Sequence, residues 1–228
     1  MPTRILIINL YFCIKIFKLT EKEKILFEQG KLLPLVEEFY TLQGEGFHTG
    51  KAAYFIRLGG CDVGCEWCDT KFSWNADLHQ PAKTDDIVNN ALKYKSKAVV
   101  VTGGEPTHYN LTYLCNQLKK NKFETYIETS GAYKITGIWD WICLSPKKHL
   151  PPIENTFLKA HELKIIIQNE NDFLWAEECA KKVEKKCYLY LQPEWSRYNS
   201  IINEIINYIK NDPKWRISLQ SHKFMHIP

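Results

Sequence analysis

The sequence predicts an α/β fold in which a mostly parallel sheet forms an incomplete, TIM-like barrel or an open sheet. Short apolar segments typical of buried strands alternate with amphipathic segments typical of helices, which is the order of repeated β-α units. About six such units fit the chain, fewer than the eight of a closed barrel. Small and polar residues follow the predicted strands, and in both architectures these strand ends carry the chemistry.

The predicted elements follow from the apolar periodicity of each segment. Apolar runs predict strands at residues 53–58, 98–101, 125–128, 141–144, 163–167, 188–191 and 215–219. Helical patterns predict helices at residues 21–29, 85–95, 111–120, 172–183 and 201–209. Gly30 is expected to end the first helix, and Thr84 to be the N-cap of the second.

The composition is that of a globular protein. The chain has 228 residues, 45% of them hydrophobic and 25% charged, which excludes a disordered chain, a collagen and a coiled coil. The net charge of +4 neither requires nor excludes an acidic partner. Eight cysteines are too few for a secreted disulfide scaffold of this length.

The N-terminal part of the chain is predicted to be an extension, residues 1–34, outside a single catalytic domain at residues 35–228. An apolar run at residues 5–14 is shorter than the roughly 20 residues that span a bilayer. No small-residue cleavage site follows the run, so we expect neither a membrane anchor nor a signal peptide.

Three cysteines, Cys61, Cys65 and Cys68, fall on one loop after the first predicted strand. Three thiolates so close together indicate a metal site and a reducing compartment, which we expect to be the cytoplasm. They could hold three irons of a four-iron cluster and leave the fourth open. They could instead bind structural zinc with a remote fourth ligand, for which the candidates are His48, His79 and Cys115. The other five cysteines are expected to be small buried hydrophobes.

A glycine-rich turn follows the next strand, Gly103-Gly104-Glu105-Pro106. Two glycines let a backbone approach a ligand closely, and a glutamate can accept hydrogen bonds from a ligand ammonium group. Together with the CxxxCxxC loop one strand earlier, this turn resembles the radical S-adenosylmethionine superfamily. In that superfamily an aromatic or apolar residue precedes the last cysteine, and Trp67 stands at that place, where its backbone is expected to meet the adenine.

Further segments resemble a narrower family over about residues 35–228. They are residues 39–46 (FYTLQGEG), Arg57, residues 68–70 (CDT), residues 128–131 (ETSG), residues 145–147 (SPK) and residues 219–223 (LQSHK). These resemble the 7-carboxy-7-deazaguanine synthase family, and the TLQGEG segment and the His-Lys tail are the most specific parts.

The resemblance implies a ring contraction. The expected reaction converts 6-carboxy-5,6,7,8-tetrahydropterin to 7-carboxy-7-deazaguanine with loss of ammonia, in queuosine and 7-deazapurine biosynthesis. The implied cofactors are one 4Fe-4S cluster, S-adenosylmethionine and Mg²⁺. The implied partners are the pterin substrate, an electron donor such as flavodoxin and a second copy in a homodimer, with no membrane and no direct nucleic-acid contact.

The resemblance also assigns roles to the matching residues. Cys61, Cys65 and Cys68 are the expected cluster ligands, and Thr70 is the expected Mg²⁺ ligand. The expected substrate-binding residues are Leu42, Gln43, Gly44, Arg57, Thr102, His222 and Pro228 with its terminal carboxylate. The expected cofactor-binding residues are Trp67, Gly104, Glu105, Ser145, Pro146, Lys147, Gln192, Pro193 and Glu194. Glu128 is a candidate catalytic group, or a buried structural carboxylate.

Two other functions are compatible with parts of the pattern. A glycyl-radical activating enzyme also uses CxxxCxxC on a partial barrel, but it lacks the TLQGEG segment and the His222 tail. A zinc-dependent nucleic-acid-binding module would use lysine pairs such as Lys119-Lys120, Lys181-Lys182 and Lys185-Lys186 as phosphate contacts. Such pairs are more commonly solvated helix faces, and a net charge of +4 gives this alternative little support.

Overall fold

The computed structural model describes residues 20–228. Its helices are α1 (Glu21–Glu28), α2 (Thr84–Ala91), α3 (Thr112–Lys120), α4 (Glu154–Phe157), α5 (Asn171–Ala180), α6 (Tyr198–Asn211) and α7 (Ser221–Met225). Its strands are β1 (Leu32–Leu42), β2 (Ala52–Leu58), β3 (Pro81–Lys83), β4 (Ala98–Gly103), β5 (Glu124–Thr129), β6 (Trp141–Leu144), β7 (Glu162–Ile167), β8 (Tyr188–Pro193) and β9 (Trp215–Ile217). The apolar run at residues 5–14 and Cys13 lie outside the described residues.

All nine of these strands form one sheet in the order β3-β1-β2-β4-β5-β6-β7-β8-β9. From β2 onward the neighbours are parallel, whereas β1 pairs antiparallel with both β2 and β3. Over residues 20–228 the sheet does not close, since β3 and β9 remain at its two ends. The predicted incomplete barrel is therefore confirmed, with β1 and β3 added at one edge.

The two faces of the strands have different chemistry because successive side chains point to opposite sides. On β7, Leu163 and Ile165 belong to the core beneath the helices, while the alternate residues Lys164 and Ile166 line the interior of the partial barrel. The same alternation on β5 buries Ile127 under the helices and turns Glu128 inward. The barrel interior is therefore the polar face, and its open end holds the site.

Two local predictions differ from the structure. Thr84 is not an N-cap: Lys83 occupies that position, and the buried Thr84 hydroxyl donates to the Gly30 carbonyl oxygen at 2.7 Å, so it joins α2 to the turn after α1. β1 was not predicted as a strand, because Pro34 and the register shift between Leu35 and Glu37 interrupt its alternation.

The described part of the predicted extension packs on the domain. Gly30 ends α1 in a left-handed conformation (φ +68°), as its sequence position predicted. Leu33, near the start of β1, is completely buried in the core. The boundary at residue 34 stays a prediction. Across residues 20–228, no helix is long and apolar enough to cross a membrane.

Candidate functional site

A cleft of about 480 Å³ opens where the parallel strands end. Every site residue predicted from the sequence lies on its wall except Pro146, whose two neighbours do. The wall includes Leu42, Gln43, Gly44, Arg57, Cys61, Cys65, Trp67, Cys68, Thr70, Thr102, Gly104, Glu105, Glu128, Ser145, Lys147, Gln192, Pro193, Glu194, His222 and Pro228. The fold thus assembles into one cavity the segments that the sequence placed far apart.

The cysteine loop (residues 59–70) forms one wall of this cleft. The Trp74 indole nitrogen donates to the Cys68 sulfur at 3.3 Å, and the Thr70 hydroxyl lies 3.5 Å from the same sulfur. Cys61 and Cys65 line the cleft beside Cys68, so all three thiols face the same space. A three-thiol donor set of this kind fits a 4Fe-4S cluster with one open iron.

The arrangement of donors does not favour zinc. Of the three candidate fourth ligands, His79 has its Nε2 2.9 Å from the Phe72 carbonyl oxygen. The other two candidates lie away from the cysteine loop. Cys115 is buried against Gly137, and the His48 ring stacks on the Tyr126 ring with 4.3 Å between the ring centroids. The described cysteines outside the loop are buried, as predicted.

Side chains from three other loops hold the cysteine loop in place. The Asp62 carboxylate pairs with the His108 ring at 2.9 Å and accepts a hydrogen bond from the Tyr133 hydroxyl. The His149 ring contacts the Val63 carbonyl oxygen. Sequence reasoning missed these anchors, because nothing in the local pattern connects His108, Tyr133 and His149 to residues so far away in the chain.

The Gly103-Gly104 pair is required by backbone contacts. A Cβ atom at Gly103 (φ +135°) would lie 2.1 Å from the Leu58 oxygen, and one at Gly104 would lie 2.3 Å from the Gly60 oxygen. The glycines therefore allow β4 to end directly against the start of the cysteine loop.

The Glu105 carboxylate is buried, with 1% of the residue exposed, and accepts five hydrogen bonds. Oε1 accepts from the Thr107 amide (3.0 Å), the Thr107 hydroxyl (2.6 Å) and the Thr129 hydroxyl (2.5 Å). Oε2 accepts from the Ser130 amide (2.7 Å) and hydroxyl (2.5 Å). Glu105 therefore joins the turn after β4 to Thr129 at the end of β5 and to Ser130 directly after it, besides lining the cleft.

Glu128 is held toward the cleft by two neighbouring side chains. The Gln43 amide donates to Oε1 and the Thr102 hydroxyl donates to Oε2, both at 3.0 Å. These contacts fix the carboxylate between two predicted substrate-binding residues.

The QGEG segment (residues 43–46) packs against the C-terminal segment (residues 218–228) with little space to spare. A Cβ atom at Gly44 would lie 2.2 Å from Nδ1 of His222. The Ser221 amide and hydroxyl both donate to the Gly44 carbonyl oxygen, at 2.9 and 2.8 Å. Burial lowers the pKa of His222, with Glu45 opposing, so its ring is mostly neutral at pH 7.

A buried ion pair lies beneath the QGEG segment. Lys164, on β7, is 5% exposed and bonds the Glu45 carboxylate. Burial raises the pKa of Glu45, but the charge and hydrogen bond of Lys164 and the hydrogen bond from Gln220 together outweigh burial, so the pKa is lowered. Neither residue had a predicted site role; the available signal was a lysine inside the apolar run at residues 163–167.

The remaining predicted residues have partners that restrict their roles. Arg57 donates from Nε to Glu37 at 2.7 Å, which leaves its Nη groups for the cleft. Lys147 donates to the Ser145 carbonyl oxygen (2.5 Å) and lies 5.4 Å from the centre of the Trp67 ring, and burial lowers its pKa. Thr70 stands at the start of a turn but makes no side-chain capping bond.

Gln192 and Glu194, at the end of β8, also bond within the protein. The Ser218 hydroxyl donates to Gln192 at 2.6 Å, and Glu194 accepts from the Ser196 amide (3.0 Å) and hydroxyl (2.5 Å). The Gln192 bond joins the end of β8 to the start of the C-terminal segment, and the Glu194 bonds fix the turn that follows β8.

Gly44→Ala is expected to raise the KM for substrate at least about tenfold, because the added methyl group displaces His222. The kcat should change less, since the cysteine loop is on a different wall. Gly50→Ala is a control for the added methyl group, because a Cβ there meets nothing within 4 Å; since its φ of +86° strains any side chain, the free energy of unfolding of both variants is measured alongside. Steady-state kinetics check the prediction, and an unchanged KM in Gly44→Ala would show that the His222 position does not matter for substrate.

Comparison with known proteins agrees with this geometry. The family model of the Radical SAM superfamily matches residues 55–137, which include the cysteine loop and the Gly-Gly-Glu-Pro turn. The 7-carboxy-7-deazaguanine synthase of Flavobacterium psychrophilum is 58% identical over 210 residues, covering 92% of this chain and 100% of the relative. The enzyme of the same name from Prochlorococcus marinus is 42% identical over 86% of this chain and 98% of its own.

A solved structure is similar as well. The crystal structure of QueE from Escherichia coli superposes with a TM-score of 0.77 at 31% sequence identity, covering 89% of this chain and 100% of that one. These similarities do not favour the glycyl-radical activating enzyme or the zinc module. The identity and coverage of these relatives show that the chain belongs to the 7-carboxy-7-deazaguanine synthase family.

Proposed function

We propose that the chain is a radical S-adenosylmethionine lyase that converts 6-carboxy-5,6,7,8-tetrahydropterin to 7-carboxy-7-deazaguanine with loss of ammonia, in queuosine and 7-deazapurine biosynthesis. The observation that carries the proposal is the convergence of the cysteine loop, the QGEG segment and the C-terminal segment on one cleft. The named relatives and the superfamily match support the same reaction.

The cysteine-loop side of the cleft is the proposed cofactor side. Cys61, Cys65 and Cys68 would hold one 4Fe-4S cluster. S-adenosylmethionine would lie along Trp67, Gly104, Glu105, Ser145, Pro146, Lys147, Gln192, Pro193 and Glu194. Radical chemistry at C6 of the substrate is supplied by the cluster and S-adenosylmethionine when both are bound. The Thr70 hydroxyl would bind Mg²⁺, with the substrate carboxylate and waters completing its octahedral shell.

The opposite side is the proposed pterin side. The Nη groups of Arg57 would pair with the substrate carboxylate, and Pro228, which lines the same cleft, would contact the pterin. Leu42, Gln43, Gly44, Thr102 and His222 would complete the pocket. Glu128 is the candidate proton acceptor for a substrate nitrogen, because Gln43 and Thr102 already fix the position of its two oxygens.

The wider setting of the enzyme is proposed from its chemistry and its family. Three thiols that must stay reduced suggest the cytoplasm. An electron donor such as flavodoxin would reduce the cluster, residues 35–228 would form the single catalytic domain, and two copies would form a homodimer. No membrane and no direct nucleic-acid contact are needed for a reaction on a free pterin.

The function is tested by product analysis. The protein is purified without oxygen and reconstituted with iron and sulfide. It is then supplied with dithionite, S-adenosylmethionine, Mg²⁺ and 6-carboxy-5,6,7,8-tetrahydropterin. We expect 7-carboxy-7-deazaguanine by mass spectrometry, and none from Cys65→Ala. Cleavage of S-adenosylmethionine without deazaguanine would overturn the substrate, and zinc in place of iron would overturn the enzyme class.

A peptide fused after Pro228 is expected to raise the KM for the pterin by about tenfold or more, because Pro228 lines the cleft and the added residues would occupy space on the pterin side. A tag fused after Pro228 is compared with the same protein after the tag has been cleaved back to Pro228. Equal KM values for the two forms would exclude a role for Pro228 in substrate binding.

A further inference from the structure

The C-terminal segment contacts both the substrate side and the cofactor side of the cleft. On the substrate side, Ser221 bonds the Gly44 carbonyl oxygen, and the Ser218 hydroxyl accepts from the Gly46 amide at 2.9 Å. On the cofactor side, the Lys223 ammonium bonds the Asp69 carboxylate at 2.6 Å. Asp69 lies in the cysteine loop, between Cys68 and Thr70.

Gln220 joins these two sets of contacts. Its side-chain nitrogen donates to the Glu45 carboxylate at 2.9 Å and to the Asp69 carboxylate at 3.2 Å. Its side-chain oxygen accepts from Lys223 at 3.1 Å. One amide thus bridges a carboxylate of the QGEG segment and a carboxylate of the cysteine loop, and Lys223 balances the charge.

The two ends of this bridge differ in how firmly the protein fixes them. Glu45 is held by the buried Lys164. Asp69 lies on a loop without helix or strand, and its side chain is 50% exposed. The anchors from other loops hold the cysteine loop at Asp62 and Val63, at the other end from Asp69. The position of Asp69 therefore depends on what fixes its own end of the loop, where the proposed cluster would bind the neighbouring Cys68.

We propose that Gln220 and Lys223 are positioning residues that couple the cysteine loop to the substrate pocket through Asp69 and Glu45. The inference rests on the proposed function. When the cluster fixes the cysteine loop, Asp69 holds Lys223 and Gln220, and α7 keeps His222 against Gly44. When the loop is not fixed, α7 loses two of its anchors. Substrate affinity then depends on cluster loading, and by linkage the substrate stabilises the loaded loop.

The coupling is measured as a ratio of binding constants. Equilibrium dialysis gives the Kd of 6-carboxypterin, the unreactive oxidised relative of the substrate, for the apo and the cluster-loaded protein, without S-adenosylmethionine. For the wild type we expect the apo protein to bind about three- to tenfold more weakly, the range of a partly buried ion-pair network. For Lys223→Gln the ratio should fall below about twofold, and Lys223→Arg, which keeps the ion pair, should restore it.

A matched control separates coupling from general destabilisation. Lys214 also forms ion pairs, but its partners are Glu177 and Asp212, neither of which is on the wall of the cleft. Lys214→Gln should therefore keep the wild-type ratio. The proposal is overturned if Lys223→Gln keeps the wild-type ratio of apo to loaded Kd values, or if apo and loaded wild type bind equally well. It is also overturned if the ratio falls to about one in Lys214→Gln. If the wild type binds no 6-carboxypterin in either form, both the coupling and the proposed pterin substrate are wrong.

Proteolysis gives a readout that needs no substrate. Trypsin cleaves after Lys223, so the rate at which residues 224–228 are released reports whether α7 is held. We expect cluster loading to slow this cleavage in the wild type and to have little effect in Gln220→Met, which keeps Lys223 but lacks the bridging amide. Equal protection in both proteins would show that Gln220 does not carry the coupling, even where product formation confirms the function.

Discussion

Lys164→Met is expected to lower the free energy of unfolding by about 3–5 kcal/mol, because it leaves the Glu45 carboxylate charged and without its partner under the QGEG segment. Methionine nearly keeps the volume of lysine, so little of the loss would come from packing. The side chains of Lys164 and Glu45 are 6% and 14% exposed, too little for water to replace the missing charge.

The same ion pair gives the stability a defined pH dependence. The pKa of Glu45 is lowered in the folded protein, because the charge and hydrogen bond of Lys164, with the hydrogen bond from Gln220, together outweigh the effect of burial. Its contribution is therefore present above the unfolded pKa of the carboxylate and is lost as the pH falls through the lowered folded pKa. Lys164, whose pKa the surrounding carboxylates raise against the effect of burial, stays charged throughout this range.

A double variant separates the ion pair from other effects. Anaerobic urea denaturation of Lys164→Met, Glu45→Gln and the double variant gives the coupling free energy between the two side chains. We expect the double variant to recover a substantial part of the free energy of unfolding lost in Lys164→Met, because it leaves no charge at either position. Its stability should also no longer fall at acid pH through the titration of Glu45. A double variant no more stable than Lys164→Met would mean that the pair is not coupled.

The sequence was sufficient for the parallel strands, because buried β-branched runs bounded by polar turns have few alternative structures. Most predicted strands appear within a few residues of their expected bounds. The sequence does not predict β1, because its apolar residues do not alternate regularly and its pairing with β2 and β3 is visible only in the folded chain. Thr84 was misjudged because its hydroxyl has a partner 54 positions away, the Gly30 carbonyl oxygen.

The cleft shows the same division between local and long-range information. Motifs such as CxxxCxxC and QGEG mark the wall of the cleft, since each is a contiguous string of residues with its own chemistry. Lys164, Asp69 and Gln220 lacked an assigned role because each acts through a contact with a distant segment. Only the folded chain shows that Gly44 must be small to accommodate His222.

Glu105 illustrates how a residue with an apparent ligand-binding role also holds the fold together. Its carboxylate already accepts five hydrogen bonds from Thr107, Thr129 and Ser130. A ligand ammonium would thus meet a carboxylate whose orientation the turn after β5 has already fixed. Preorganisation of this kind makes binding stronger, since no side chain has to be ordered on binding.

Glu105→Gln is therefore expected to lower the free energy of unfolding by about 2–4 kcal/mol, because an amide NH₂ group would face hydroxyl and amide donors in a buried site. S-adenosylmethionine affinity should fall with it, measured by equilibrium dialysis on the cluster-loaded protein. Thr129→Val, which removes one of the five donors, should cost about 1 kcal/mol. Glu105→Gln could instead lose S-adenosylmethionine affinity and keep the urea midpoint of the wild type. The hydrogen bonds of Glu105 to Thr107, Thr129 and Ser130 would then contribute nothing to stability, and the carboxylate would act only in ligand binding.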